Sequence, residues 1–217
     1  MLPTPDIKDL DFNVYEPSED SFLLLDCFEQ EIKFLKSYFQ QKSPIIIEVG
    51  TGSGIVTSFI MSNILPESIF LTTDVNPHAI TTCRKTVEYN NSQFSGCFDA
   101  LQMSLTTGVR KGLVDILVFN PPYVPAEDVP EIPDSERSDT WLDLALLGGS
   151  DGMVVTWELL NDLDTTLSEK GIAYILFCAR NKPLEVQKIM ESRGWKVDVV
   201  ISRKAGWEVL SILKFYR

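Results

Sequence analysis

A single histidine, His78, and four scattered cysteines are all this sequence offers toward metal or thiol chemistry. Cys27, Cys83, Cys97 and Cys178 show no Cys-x-x-Cys spacing, so no metal site built within the chain is expected, and the thiols read as reduced and mostly buried. His78 falls at an expected helix start, which leaves no histidine-centred triad in view. Positive charge is also short: 19 Lys and Arg stand against 31 Asp and Glu, a net charge of −12. A protein whose main partner was naked duplex DNA would carry a basic footprint, because phosphate neutralisation dominates that affinity. The balance therefore favours a protein or small-molecule substrate and disfavours nucleic acid. No apolar run approaches the ~20 residues of a membrane helix. The opening Met1-Leu2-Pro3-Thr4-Pro5-Asp6 has neither the basic nor the apolar region of a signal peptide, so a cytosolic or nuclear protein is expected, with no membrane partner. Repeats, low-complexity tracts and linkers are missing as well, and the 217 residues read as one domain, 1–217.

What is present is alternation. Pro17 to about Gln41 is expected to be helical, with Ser18 as cap, Glu19 and Asp20 at its positive end, and Leu25, Phe28, Ile32, Leu35 and Phe39 at helical spacing. Ile45-Ile46-Ile47-Glu48-Val49 reads as a buried strand, followed by a glycine turn and a helix to about Leu65. Ser68–Thr73 reads as a second strand, and Asn76-Pro77 starts a helix running to about Asn90. Phe98–Met103 and Leu113–Phe119 read as the third and fourth strands. After a polar loop, Met153–Ser168 reads as helix, Gly171–Phe177 as the fifth strand and Pro183–Ser192 as helix, with Gly194 as a left-handed cap. Lys196–Ser202 and Glu208–Phe215 are joined too tightly for a crossover helix, so this last pair is antiparallel. The pattern describes an open α/β sheet with helices on both faces, whose ligands bind beyond the carboxyl ends of the strands.

Two segments fall at those ends. In Glu48-Val49-Gly50-Thr51-Gly52-Ser53-Gly54 the glycines permit a tight turn and close approach of a ligand. The spacing departs from the dinucleotide fingerprint, and Glu48 would repel a diphosphate while suiting an ammonium and a sulfonium. That charge argument favours S-adenosylmethionine over NAD. Asp74, at the end of the second strand, can accept hydrogen bonds from both ribose hydroxyls. The second segment is Asn120-Pro121-Pro122-Tyr123, directly after the fourth strand. The Asn120 side-chain oxygen and the Pro121 carbonyl can each accept one N–H of a planar NH2 group, leaving its lone pair aimed at a methyl group. Pro122 helps stiffen the segment, and Tyr123 can pack on the planar group. A sulfonium methyl needs no further activation, so an enzyme with one histidine is chemically reasonable. The plainer alternative is a proline-rich turn with Asn120 bonding its own backbone.

These residues carry a resemblance to the HemK-type class I methyltransferases, whose Asn/Asp-Pro-Pro-Tyr/Phe signature is shared with adenine-N6 DNA methyltransferases. Val14-Tyr15-Glu16-Pro17-Ser18-Glu19-Asp20-Ser21-Phe22-Leu23-Leu24-Leu25-Asp26 resembles the N-terminal motif of the eukaryotic and archaeal members, which methylate the glutamine of the Gly-Gly-Gln loop in class I translation termination factors. The similarity continues through Ala145-Leu146-Leu147-Gly148-Gly149-Ser150-Asp151-Gly152 to the terminal hairpin. It implies a seven-stranded, Rossmann-like class I methyltransferase sheet of order 3-2-1-4-5-7-6 with the last strand antiparallel. It implies Asn120, Pro121, Pro122 and Tyr123 at the substrate, with Asn120 also beside the cofactor. Glu48, Gly50, Thr51, Gly52, Asp74 and Val75 are implied as cofactor contacts. The N-terminal segment 1–43, through Tyr15, Pro17 and Glu19, would close over the methionine end. Where relatives often place an Asp against the adenine amino group, this sequence offers Ser104 and Leu105. The bacterial members carry a preceding substrate-recognition domain that this sequence is expected to lack. The resemblance also implies a small zinc-binding activator subunit paired along an edge of the sheet, here Phe98–Met103, an apolar edge that would otherwise be a liability.

Glu127, Asp128, Glu131, Asp134, Glu136 and Asp139 crowd the loop after the tetrapeptide against one Arg137. It reads as a solvated loop or, more sharply, as a flexible acidic lip that draws in a basic substrate surface. Adenine-N6 methylation, protein lysine methylation and a non-catalytic cofactor-binding scaffold remain open beside glutamine methylation.

Overall fold

Ile45–Val49, strand β1, lies at the middle of the sheet, since all its side chains except Glu48 are apolar and they point to both faces, which suits a strand covered by helices on each side. In the computed structural model, which describes residues 2–40, 43–94 and 96–217, β1 pairs in parallel with β2 (Ile69–Asp74) and with β4 (Val114–Phe119). β3 (Phe98–Gln102) adds to β2, and β5 (Leu167–Cys178) adds to β4, both in parallel. β7 (Glu208–Tyr216) inserts antiparallel between β5 and β6 (Lys196–Ala205). The order is therefore β3-β2-β1-β4-β5-β7-β6, as the family resemblance implied.

Strand alternation sorts the core into two layers. Ile46, Ile116, Val118, Ile172, Tyr174 and Leu176 point to one face, where α1 (Glu19–Tyr38), α2 (Ile55–Phe59) and α3 (Pro77–Asn90) pack on them. Ile47, Leu117, Phe119, Ala173, Ile175 and Phe177 point to the other, under α5 (Val154–Thr166) and α6 (Pro183–Ser192). α1 is pinned to the far edge by two ion pairs, Arg203 to Asp26 at 2.6 Å and Lys214 to Glu31 at 2.9 Å, the second shared with the Tyr174 hydroxyl at 2.8 Å. Because the Lys214 and Glu31 side chains are both largely buried, the pair fixes the position of α1 more than it adds stability; deleting one partner would cost about 3–5 kcal/mol.

Several boundaries differ from the sequence expectation. α1 ends at Tyr38, and the expected end, Gln41, lies outside the described residues. Ser18 occupies the N-cap position, yet its hydroxyl makes no cap hydrogen bond; its carbonyl accepts from the Phe22 N–H instead. The helix after the glycine turn is α-helical only to Phe59 and continues as a π-turn through Ile60–Ile64, where Leu65 N–H bonds the Ile60 carbonyl. β5 begins at Leu167, pairing with Val114 ahead of a bulge. Gly171 allows this, since a Cβ there would stand 2.7 Å from the Val114 carbonyl oxygen. Within the polar loop a short helix, α4 (Trp141–Leu146), forms under the cover of Trp141. Other signals correspond closely: Asn76 caps α3 by accepting from the His78 N–H at 2.9 Å, Pro77 is its first residue, and Gly194 has φ +90°.

Candidate active site

The carboxyl ends of β1, β2, β3 and β4 open onto one cavity of about 350 Å³. Glu48, Gly50, Thr51, Gly52, Asp74, Val75, Ser104, Leu105, Asn120, Pro121, Pro122, Tyr123 and Tyr15 all line it. Pro17 and Glu19 do not. Glu19 is exposed, and the acidic residue that turns inward is its neighbour Asp20. The reason is helical phase: Asp20 shares a stripe with Leu23, Leu24, Cys27 and Phe28, all buried, and Glu19 falls beside that stripe. The sequence holds that signal, but both acids suit the positive end of the helix equally, which hides the difference between them.

Asp20 is a junction. Its Oδ2 accepts from the Tyr15 hydroxyl at 3.1 Å and the Tyr123 hydroxyl at 3.5 Å, while Oδ1 accepts from the Ser21 N–H at 2.6 Å. The N-terminal segment is thus joined to the Asn-Pro-Pro-Tyr segment, and Asn76 Nδ2 donates to the Asn13 carbonyl at 2.9 Å to hold its other side. Burial first, then the Asp20 charge, raises both the Tyr15 and Tyr123 phenols far above their ordinary range, so both stay protonated as donors; Glu208 adds to the effect on each.

Glu48 stands at the floor. Its Oε2 accepts from the Thr57 N–H at 3.0 Å, the Thr57 hydroxyl and the Thr51 hydroxyl at 3.1 Å. No described residue donates to Oε1. Thr51 therefore lines the cavity with its hydroxyl engaged in orienting Glu48. Burial pushes the Glu48 carboxyl up from 4.5 to about 7, against the opposing pull of the Thr57 and Thr51 bonds. Asp74 lies half-buried, with Oδ2 on the Gly52 N–H at 3.0 Å and Oδ1 on the Asn76 N–H at 2.9 Å, and burial raises its carboxyl as well. Gly54, at φ +77°, must be glycine, because a Cβ there would meet Cys83 Sγ at 2.7 Å.

Asn120 has a carbonyl oxygen that is buried and finds no hydrogen-bond partner. The turn in which Asn120 bonds its own backbone is therefore not formed. Nor does any described donor reach the Pro121 carbonyl. Consecutive residues at the exit of β4 thus each carry an acceptor without a described donor, and the orphaned Asn120 side-chain oxygen costs about 1–3 kcal/mol until a donor arrives. The segment is held from behind by Asn181, which sequence reasoning missed, and by Gly148 and Gly152, whose supporting role it did not read. Asn181 Nδ2 donates to the Tyr123 carbonyl at 3.1 Å and to the Asp151 carbonyl at 3.0 Å. Gly148 and Gly152 press so close that a Cβ would stand 2.2 Å from the Pro122 oxygen and 2.0 Å from the Tyr123 oxygen.

The acidic loop is anchored rather than loose. Val129, Pro130 and Ile132 line the cavity while its carboxylates remain exposed. His78 Nε2 lies 2.6 Å from the Glu136 carbonyl and Nδ1 3.2 Å from Asp11, and Trp141 Nε1 donates to the Ser135 carbonyl at 3.2 Å. The one histidine joins the N-terminal segment to this loop and lies outside the cavity lining.

The free Glu48 oxygen, the Asp74 carboxylate and the apolar rim suit a cationic, ribose-bearing cofactor; the bare Asn120 and Pro121 oxygens suit an NH2 donor. Comparison with known proteins agrees. The family model described as methyltransferase small domain matches residues 20–131. The eRF1 methyltransferase catalytic subunit mtq2 of Schizosaccharomyces pombe is 39% identical, over 100% of this chain and 96% of its own length. Methyltransferase HEMK2 of Homo sapiens is 36% identical, over 94% of this chain and 89% of its own. Among solved structures, the E. cuniculi Mtq2–Trm112 complex, described as responsible for methylation of the eRF1 translation termination factor, is 26% identical with a TM-score of 0.67, covering 94% of this chain and 99% of that one.

Proposed function

The chain belongs to the methyltransferase small domain family, among the relatives of the eRF1 and HEMK2 methyltransferases, and from that premise we propose that it methylates N5 of the glutamine in the Gly-Gly-Gln loop of a class I translation termination factor. The observation that carries this reading is the buried, unpartnered Asn120 side-chain oxygen, with Pro121 next to it in the cavity lining. S-adenosylmethionine, when bound, supplies an electrophilic methyl on a positively charged sulfur. Glu48 and the glycine turn would hold its cationic end, Asp74 its ribose, and Met103, Ser104 and Leu105 would flank the adenine side. Asn120 Oδ1 and the Pro121 carbonyl each accept one N–H of the substrate carboxamide, which turns the nitrogen lone pair toward the methyl. Attack by that nitrogen would form the N–C bond as the C–S bond breaks, with an N–H proton leaving to water. Tyr123, whose hydroxyl donates to Asp20 at 3.5 Å, would pack its ring against the substrate.

For the partner we infer a small zinc-binding activator subunit added as a strand along β3, supported by the Mtq2–Trm112 neighbour and by β3 forming one edge of the sheet. The test is incubation with labelled S-adenosylmethionine and a termination factor, with and without such a subunit, beside a Gln→Ala factor and duplex DNA. Label is expected only on the glutamine-bearing factor; label on DNA, or on the Gln→Ala factor at equal rate, would overturn the reading.

Glu48 gives this binding a pH dependence with a definite sign. Because its carboxyl is raised from 4.5 to about 7, the folded chain keeps a proton that the unfolded chain has lost, so stability of the ligand-free chain falls as pH rises through that window. Cofactor binding runs the other way, since the ammonium and sulfonium prefer the carboxylate. Calorimetric affinity should be about tenfold tighter at pH 7.5 than at pH 6, and Glu48→Gln should flatten the profile; a flat wild-type profile would remove Glu48 from the cationic end.

A further inference from the structure

The hairpin between β6 and β7 rises beside the active site and ends in a bare tryptophan. Ala205 pairs with Glu208, so the loop is only Gly206-Trp207, and Gly206 at φ +57° supplies the left-handed first position of a tight two-residue turn. Trp207 at the second position is 102% exposed. Cys178, at the carboxyl end of β5, pairs with Leu210, which puts the hairpin tip on the same side of the sheet as Asn120. The link to the site is direct. Arg180 pairs with Glu208 at the base of the tip, and the next residue, Asn181, holds the Tyr123 carbonyl. The Glu208 charge also reaches the Tyr123 phenol.

The surroundings differ from the rest of this acidic chain. Lys182 and Lys204 are exposed beside the hairpin, Lys204 makes no ion pair with any described residue, and Val209 is 41% exposed. An acidic loop thus lines part of the cavity, and an aromatic, basic hairpin stands at the same end of the sheet, beyond β5. A side chain reaching Asn120 would leave the loop and the hairpin to the folded body behind it. Tryptophan fixed on a tight turn is the kind of rigid anchor that concentrates binding energy in protein interfaces.

We propose that Trp207, with Lys204 beside it, is a docking anchor for the folded protein substrate, engaging an apolar, carboxylate-flanked patch away from the methylated glutamine. This rests on the protein-substrate reading above. It concerns the edge of the sheet opposite β3, so substrate and activator need not compete. The test compares wild type, Trp207→Ala and Trp207→Phe, in complex with the activator subunit, on the full termination factor and on a short peptide spanning its acceptor loop. Trp207→Ala should raise KM for the folded factor about tenfold or more, leave KM for the peptide, cofactor affinity and thermal stability unchanged, and be largely rescued by Trp207→Phe. An unchanged KM on the folded factor, an equal rise on the peptide, or loss of the activator complex would each overturn the anchor. Wild type inactive on both substrates would instead sink the substrate reading, and the anchor with it.

Discussion

Asn120→Ala should lower kcat by at least about two orders of magnitude, some 3 kcal/mol of transition-state stabilisation, with S-adenosylmethionine affinity within about twofold of wild type. The carboxamide nitrogen is a poor nucleophile because its lone pair is delocalised into the carbonyl, so rate depends on how firmly its two N–H groups are held. The Asn120 oxygen is one of two acceptors placed to hold them, and it has no competing partner among the described residues. That same lack of a partner separates catalysis from stability. Truncation removes an orphaned buried oxygen, so the variant should melt at or slightly above the wild-type temperature. Single-turnover kinetics with saturating cofactor and substrate read the chemical effect, and thermal unfolding reads the other. Activity within about threefold of wild type would dismiss the amide-gripping role.

The residues behind that prediction are legible in the amino-acid sequence, and the reason is local. Ile45–Val49 and Val114–Phe119 announce themselves by composition over a few residues, and the turns that follow them are set by glycine and proline at fixed positions. Sheet order and the antiparallel end follow from the family resemblance and the short last connection. What stays hidden depends on contacts distant in sequence or on small choices of backbone. Nothing around Asn181 hints that it bonds Tyr123, 58 residues earlier. The π-turn at Ile60–Ile64 carries the same apolar pattern an α-helix would. α4 is masked by the charged residues before it, and it forms because Trp141 finds cover and a Ser135 carbonyl. The acidic loop looks loose because carboxylates dominate it, while Val129 and Pro130 turn inward to the cavity and Ile132 stays exposed at its edge. Asp20 is the instructive case: its phase on the apolar stripe is visible in the sequence, and the dipole argument, true for Glu19 and Asp20 alike, cannot tell the two apart.

Asp74→Ala should weaken cofactor binding about a hundredfold or more, at the rate of roughly tenfold or more for each charge-assisted hydrogen bond removed. The carboxylate already bonds the Gly52 and Asn76 N–H groups while facing the cavity, so it shapes the glycine turn as well as offering lone pairs to a ribose. Loss of binding from Ala alone could therefore come from a collapsed turn. Asp74→Asn divides the two contributions. Its single acceptor oxygen can keep one of the backbone bonds, and its amide keeps the volume, so the turn should hold while ribose binding weakens. If the ribose contact dominates, both variants should lose affinity, while kcat at saturating cofactor stays near wild type because Asn120 and Pro121 are untouched. If the turn dominates, Ala should fail and Asn should bind nearly as well as wild type. Fluorescence or calorimetric titration with S-adenosylhomocysteine measures both without turnover, and an Asp74→Ala chain retaining full affinity would move the ribose site off the end of β2.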